Sequence, residues 1–212
     1  MIHVLRKSVW VPALAVCWCL QSCSVFSEPP ATTADVIQQG WDLFEQGKYE
    51  SALSQFIDAV YMEPNKEGGY HGKAWCYLLL NQPTDAIDNF YLAIGRGNQT
   101  LDPLAGLAGA FLANANYADA IVKGEAVLAA NVNYYFEHEP LINFQDIRLI
   151  LAMAYYHEGR LSEAQQQVNF LEPNNRLNAS DSSTWVVDQQ TYSSYAAALM
   201  ALIDQLDVLY GM

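Results

Sequence analysis

The chain is short of basic residues. Its 212 residues include 10 Lys and Arg against 23 Asp and Glu, which gives a formal net charge of −13. A surface this negative repels phosphate backbones and anionic headgroups, so we expect no nucleic-acid partner and no basic belt for peripheral membrane binding. Hydrophobic residues make up 52% of the chain, which leaves material for a sizeable core.

Common catalytic motifs are also missing. The sequence contains no H-E-x-x-H, G-x-S-x-G, P-loop or G-x-G-x-x-G pattern. His138 stands between Glu137 and Glu139, but adjacent residues do not converge on one side of a helix, which favours a solvated acidic loop. We therefore predict no enzyme activity, no cofactor and no metal. The alternative is an enzyme or metal-binding protein that uses the segment 131–142.

Cysteine is scarce outside the first residues of the chain. Cys17 and Cys19 belong to an N-terminal apolar segment, and Cys23 follows that segment directly. If the segment is removed and Cys23 is modified, Cys76 alone remains, which excludes an internal disulfide and a cysteine metal site. Cys76 lies among aromatic and aliphatic residues, so we interpret it as a small buried hydrophobe.

The segment 1–22 has the pattern of an export signal. Arg6 and Lys7 form a basic start, and an apolar run follows from Val9 to Leu20. This run is too short to span a bilayer comfortably, and it fits the apolar region of a cleaved signal. We therefore predict that the first 22 residues are a leader.

Residues 20–23, with the sequence LQSC, resemble the lipobox of bacterial lipoproteins. That resemblance implies cleavage before Cys23, acylation of Cys23 and a tether over 23–31. Ser24 is similar to the residue that accompanies sorting to the outer membrane, which implies anchorage on its periplasmic face. Two alternatives are cleavage after Ser27, which gives a soluble secreted or periplasmic protein, and an uncleaved anchor.

A fixed interval of 34 residues organises the rest of the chain. Ala52, Ala86 and Ala120 follow one another at this interval, and so do Phe56 and Phe90. A 34-residue period built from two short helices is typical of a helical repeat array. The predicted repeats cover 33–66, 67–100, 101–142 with an insertion, and 143–173, within a domain of 32–173.

The segment 174–212 is predicted to be a loop followed by a capping helix. Tyr195, Leu199, Leu202, Leu206 and Leu209 recur at alternating spacings of four and three, which gives one apolar stripe. A terminal repeat cannot bury its own exposed face. We therefore expect this helix to cover the last repeat.

The pattern resembles that of the tetratricopeptide repeat (TPR) family over about residues 33–173. Repeat one supplies most of the family's motif: Gly40, Leu43, Gly47, Tyr49, Ala52, Phe56, Ala59 and Pro64. Later repeats depart from it, for example at Pro83 and Gly124. The resemblance implies an all-α fold, a right-handed α-solenoid of about four helix pairs plus a C-terminal capping helix.

In this family the first helix of each pair lines a concave groove. The resemblance places these residues in a partner-binding groove: Trp41, Phe44, His71, Trp75, Leu78, Leu79, Leu112, Met153, Tyr156 and His157. Asp102 and Asp146 also occupy inward-facing places. The lysines and arginines of the family's carboxylate clamps are absent, so the groove suits an apolar or amphipathic protein segment. Alternatively, the C-terminal helix or the insertion fills the groove and makes these residues core.

The resemblance implies a non-enzymatic scaffold for protein–protein interaction in the periplasm. TPR lipoproteins of similar size serve envelope and outer-membrane assembly, but fold analogy alone does not assign a pathway. A further alternative is self-association, in which the C-terminal helix docks on another copy of the chain.

Overall fold

The computed structural model describes residues 30–210, and the predicted leader 1–22 and Cys23 lie outside this range. The helices are α1 (Thr33–Phe44), α2 (Tyr49–Met62), α3 (Glu67–Leu79), α4 (Pro83–Gly95), α5 (Asp102–Ala113), α6 (Tyr117–Ala130), α7 (Phe144–His157), α8 (Leu161–Leu171) and α9 (Tyr195–Tyr210). Two antiparallel hairpins interrupt them, β1 (Tyr135–Phe136) with β2 (Glu139–Asn143), and β3 (Val186–Val187) with β4 (Gln190–Thr191). A short 3-10 helix covers Ser182–Thr184.

The predicted all-α solenoid class is confirmed. Helices α1 to α8 form four pairs, and each helix packs against the next one along the chain. Thr32 and Asp35 start the array with a capping box, in which the Thr32 N–H donates to Asp35 Oδ2 at 2.8 Å. This bond satisfies a backbone donor at the start of α1.

The turn inside each helix pair contains one residue in the left-handed backbone region. Gly47, Asn81, Ala115 and Gly159 stand at the same place in the four repeats, with φ values of 71°, 57°, 55° and 73°. Glycine adopts this conformation without steric penalty, whereas the Cβ of alanine crowds the following carbonyl. Repeat three therefore closes its turn at a cost that repeats one and four avoid.

Large side chains of one helix pair fit against glycines of the next pair. A Cβ atom placed on Gly72 would lie 2.2 Å from Phe56, and one placed on Gly106 would lie 2.0 Å from Phe90. Both phenylalanines are fully buried. The period alanines are also fully buried at the helix contacts: Ala52, Ala86, Ala120 and Ala164. Close approach of the helices thus depends on these small residues.

Between repeats three and four, the small residue and the large residue exchange places across the interface. Gly124 of α6 stands where the first two repeats have phenylalanine, and Leu151 of α7 fills the space. A Cβ atom on Gly124 would lie 3.0 Å from Leu151 Cδ2. The departure of Gly124 from the family motif therefore conserves the packed volume across the interface.

Helix α9 covers the last repeat, as its apolar stripe predicted. It packs against α7 and α8 and buries Leu199, Ile203 and Leu206. The Tyr195 hydroxyl donates to Gln165 Oε1 of α8 at 2.9 Å. Leu209, at the end of the predicted stripe, is exposed instead. Across residues 30–210, no helix combines the length and apolar character needed to cross a membrane.

Candidate peptide-binding groove

The first helices of the four pairs form one continuous wall. Helix α1 contacts α3, α3 contacts α5, and α5 contacts α7. The β1–β2 hairpin, inserted between α6 and α7, returns to this wall and covers its α1–α3 end. The Tyr134 hydroxyl, at the base of the hairpin, donates to Asp102 Oδ1 of α5 at 3.1 Å. This contact fixes the insertion to the wall.

Phe136 occupies the wall between α1 and α3. Its ring stacks on Trp75, with centroids 4.2 Å apart and an interplanar angle of 15°. It meets Trp41, Phe44 and His71 edge-on, at centroid distances of 5.9, 6.0 and 6.2 Å. Phe136 and Trp75 are both fully buried. At this end of the groove, the insertion takes the place that a partner segment would fill.

His138 attaches the same hairpin to α1. Its ring lies parallel to that of Trp41, with centroids 3.8 Å apart and an angle of 2°. Its Nδ1 lies 2.9 Å from Glu45 Oε1. The hairpin thus combines an apolar plug, Phe136, with a polar contact at the rim.

His71 is a buried neutral base beneath the hairpin. The Trp75 indole Nε1–H donates to His71 Nε2 at 3.1 Å, so Nε2 is the unprotonated nitrogen. Burial lowers the pKa of His71 to about 3, and proximity to His138 acts in the same direction. The His71–Trp75 pair is therefore a satisfied polar element of the core.

Of the two alternatives for Trp41, Phe44, His71 and Trp75, the structure shows the one in which the insertion fills the groove. The exposed fraction of these four side chains is 8% or less. A partner could reach them only if the hairpin moved away. Their assignment to partner binding stays a prediction that requires such a displacement.

Two cavities remain open beside the docked hairpin, and both are bordered by α7. A cavity of about 390 Å³ lies between the start of α2, the end of α3, β2, the start of α7 and the end of α9. It is lined by Tyr49, Leu79, Glu139, Leu141, Ile142, Asn143, Gln145, Asp146, Leu209 and Tyr210. A second cavity, of about 160 Å³, is lined by Gly109, Leu112, Ala113, Asp146, Leu149, Ile150, Met153 and Asp207. We call these two cavities together the open groove.

Asp146 belongs to the walls of both cavities. It stands in the first turn of α7, where its Oδ2 accepts a hydrogen bond from the Asn143 N–H at 2.7 Å. Its side chain is 3% exposed, and Oδ1 has no hydrogen-bond partner among residues 30–210. Burial raises the pKa of Asp146 to about 6, while backbone hydrogen bonds act in the opposite direction. The sequence signal for this residue was its inward-facing place in repeat four.

Of the other predicted groove residues, some line the two cavities and the rest are packed against the core or exposed. Leu79 lines the larger cavity, and Leu112 and Met153 line the smaller one. Leu78 and Tyr156 are partly buried against the core. His157 is exposed at the end of α7 and stacks on Tyr117, with centroids 4.4 Å apart. The inward-facing pattern therefore places three of these side chains in the open groove.

The part of the chain that the structure describes contains no group of three or more His, Cys, Asp or Glu side chains that could hold a metal ion. Cys76 is a buried free thiol, and burial raises its pKa to about 12. A thiol kept protonated in this way is a poor nucleophile. Cys76 thus acts as a core residue of α3.

These helix pairs define a TPR-type α-solenoid. The chain is similar to the crystal structure of YrrB, a TPR protein with an unusual peptide-binding site, at 17% identity and a TM-score of 0.58, over 84% of this chain and 87% of that one. It is also similar to a thermophilic TPR protein of Thermus thermophilus, at 17% identity and a TM-score of 0.52, over 84% and 97%. The structure of pilF of Pseudomonas aeruginosa is similar at 16% identity and a TM-score of 0.53, over 85% of this chain and 76% of that one. At these identities the likeness shows the fold.

No family model matches the chain. A tetratricopeptide repeat and J domain-containing co-chaperone of Cryptococcus neoformans var. grubii is 28% identical over 85 residues. That match covers 40% of this chain, and the chain spans 16% of the relative's length. The likeness supports the TPR pattern of the repeats.

Proposed function

We propose that the protein is a non-enzymatic scaffold that binds an apolar or amphipathic segment of another protein in its open groove. The observation that carries this proposal is the shape of the wall after the hairpin has docked. Phe136 fills the wall between α1 and α3, and two adjoining cavities with apolar sides remain, one beside β2 and one between α5 and α7. Concave sites of this kind take extended or helical segments. The likeness to YrrB supports a peptide ligand by analogy of fold.

The place of action is a further part of the proposal. The leader 1–22 and the lipobox-type sequence up to Cys23 support a lipid anchor, and Ser24 supports the periplasmic face of the outer membrane. Several acyl chains on Cys23 would hold the protein far more firmly than one chain could. A tethered peptide-binding domain of this kind suits a role in envelope or outer-membrane assembly.

Self-association through α9 is less well supported. This helix buries Leu199, Ile203 and Leu206 against α7 and α8 of its own chain. Docking on another copy through this buried face would first have to expose these side chains to water, at roughly 1.5–3 kcal/mol for each. An enzyme or metal site in the insertion has no specific observation in its favour, because His138 is engaged with Trp41 and Glu45.

Site-specific photo-cross-linking in the native host would test the groove. A photoreactive amino acid replaces Leu141, which is 81% exposed on the cavity wall, or Tyr61, which is 87% exposed on the second helix of repeat one. We expect Leu141 to yield a cross-linked protein that Tyr61 does not yield. The double change Leu79→Gln and Met153→Gln should abolish that cross-link, because it places a polar amide in the apolar wall of each cavity. Cross-links only from Tyr61, or a Leu141 product that survives the double change, would exclude the groove.

A further inference from the structure

From the cavity walls we infer that the open groove is selective for a segment that carries a basic side chain, Lys or Arg, between apolar residues, with the basic group placed against Asp146. This inference rests on the proposed function and adds the chemistry of the ligand. It assigns to Asp146 the role of a recognition residue in the groove.

Asp146 is set apart from the other carboxylates by its surroundings. One carboxylate oxygen is used by the helix cap, through Asn143, and the other is buried with no partner among residues 30–210. A buried carboxylate without compensation is unfavourable, and a cation is its most effective partner. Asp146 also forms part of both cavity walls, so a ligand in either cavity passes close to it.

The other charged groups around the open groove have the same sign as Asp146. Glu139 lines the larger cavity and Asp207 the smaller one, and neither lining includes a lysine or arginine. Arg148, the basic residue of α7, is directed to α8, where its Nη1 donates to Gln167 at 3.0 Å and its guanidinium lies 3.8 Å from the Phe170 ring centroid. Among the described residues, the groove therefore lacks an internal partner for its negative charge.

The apolar walls define the rest of the ligand. Leu79, Leu141 and Leu209 border the larger cavity, and Leu112 and Met153 border the smaller one. A segment with one basic side chain between aliphatic residues matches both features. An acidic segment would place like charges together in a partly desolvated site, which is strongly unfavourable.

Three short peptides provide the test: the acetylated and amidated pentapeptide LLKLL, the same peptide with Nε-acetyl-lysine, and LLELL. Isothermal titration calorimetry measures their binding to the protein at about 150 mM salt, where the Debye length is about 8 Å and long-range attraction is screened. The proteins are wild type, Asp146→Asn and Asp88→Asn. Asp88 is exposed on α4, so Asp88→Asn removes the same charge outside the groove.

We expect wild type and Asp88→Asn to bind LLKLL about ten-fold or more tightly than the acetyl-lysine peptide, which is the range of one charge-assisted hydrogen bond. Asp146→Asn should bind the two peptides equally, because the amide retains the cap to Asn143 without the charge. The acetyl-lysine comparison on wild-type protein needs no folded variant and stands even if Asp146→Asn is unstable.

Three results would overturn the inference. Equal binding of the lysine and acetyl-lysine peptides to wild type would leave the groove as an apolar site without basic selectivity, and the proposed function would stand. A preference lost equally in Asp88→Asn would indicate general attraction to an acidic protein. Binding of none of the three peptides would reject a basic apolar ligand, and the cross-linking experiment would then decide the proposed function alone.

Discussion

Replacement of Phe136 by alanine tests whether the insertion is a structural plug of the groove. Phe136 is fully buried and its ring contacts those of Trp75, Trp41, Phe44 and His71. Truncation of a buried phenylalanine typically costs about 3–5 kcal/mol, because the transfer term and the cavity left behind add together. For a domain of this size, that corresponds to a fall of roughly 6–20 °C in the melting temperature.

Truncation of Phe136 can leave the hairpin docked or release it, and tryptophan fluorescence separates these two outcomes. If the hairpin stays docked, the variant holds a cavity and Trp75 remains buried. If the hairpin detaches, the loss of stability is smaller, Trp75 becomes exposed, and its emission moves to the red and becomes sensitive to acrylamide. The matched control is Tyr135→Ala in the same strand, since Tyr135 is 61% exposed and should tolerate the change.

Circular dichroism melting and acrylamide quenching of both variants, without the leader, measure these effects. An unchanged melting temperature together with unchanged quenching in Phe136→Ala would refute the plug. The same would follow if Tyr135→Ala were as damaging as Phe136→Ala. A large loss in Phe136→Ala alone would assign the α1–α3 end of the groove to the core.

Three further predictions concern other parts of the chain. Asp146→Asn should gain stability over wild type as the pH rises from about 4 to above 6, because the pKa of Asp146 is raised to about 6 and the cost of its buried charge falls only on wild type. The difference in the free energy of unfolding between variant and wild type should grow by about 3 kcal/mol, because the pKa of Asp146 is raised by about two units and each unit corresponds to 1.36 kcal/mol. Urea unfolding of both proteins at pH 4 and pH 8 measures this difference. Ala115→Gly should stabilise the protein by about 1 kcal/mol by relieving a left-handed alanine, and Gly47→Ala should destabilise it by a similar amount. Cys23→Ser should abolish metabolic labelling with an alkyne fatty acid and release the protein from membranes, whereas Cys76→Ala should leave both unchanged.

Each of these predictions has a result that contradicts it. A difference in stability between Asp146→Asn and wild type that is the same at both pH values would mean that the carboxylate is not desolvated. A loss of stability in Ala115→Gly would mean that the turn is not strained. Labelling that persists in Cys23→Ser would place the acyl chain on another residue, and no labelling of the wild-type protein would leave soluble export or an uncleaved anchor as the explanation of the first 22 residues.

The helical array was predictable from the sequence because its contacts are local. Each helix packs against its neighbours along the chain, so the 34-residue interval of Ala52, Ala86 and Ala120 records the same contact repeatedly. Even the exception, Gly124, has its compensating residue, Leu151, on the next helix.

The state of the groove was not predictable in the same way. The aromatic pair Trp41 and Trp75 pointed to an inner wall, but no local pattern joins it to Phe136, which comes far later in the chain. Short strands carry little periodic signal, and β1 has two residues. Contact of the hairpin with α1 and α3 is a long-range event.

The sequence by itself thus determined the architecture: helix pairs, a capping helix and an inward-facing wall, all encoded by small and aromatic residues at helical spacing. Only the tertiary structure decided which part of that wall is available. Phe136 closes the α1–α3 end, and β2, α7 and α9 converge to leave an acidic, apolar-sided groove at Asp146. The physical reason is that repeat packing depends on neighbours, whereas the shape and charge of a groove depend on elements that meet across the whole domain.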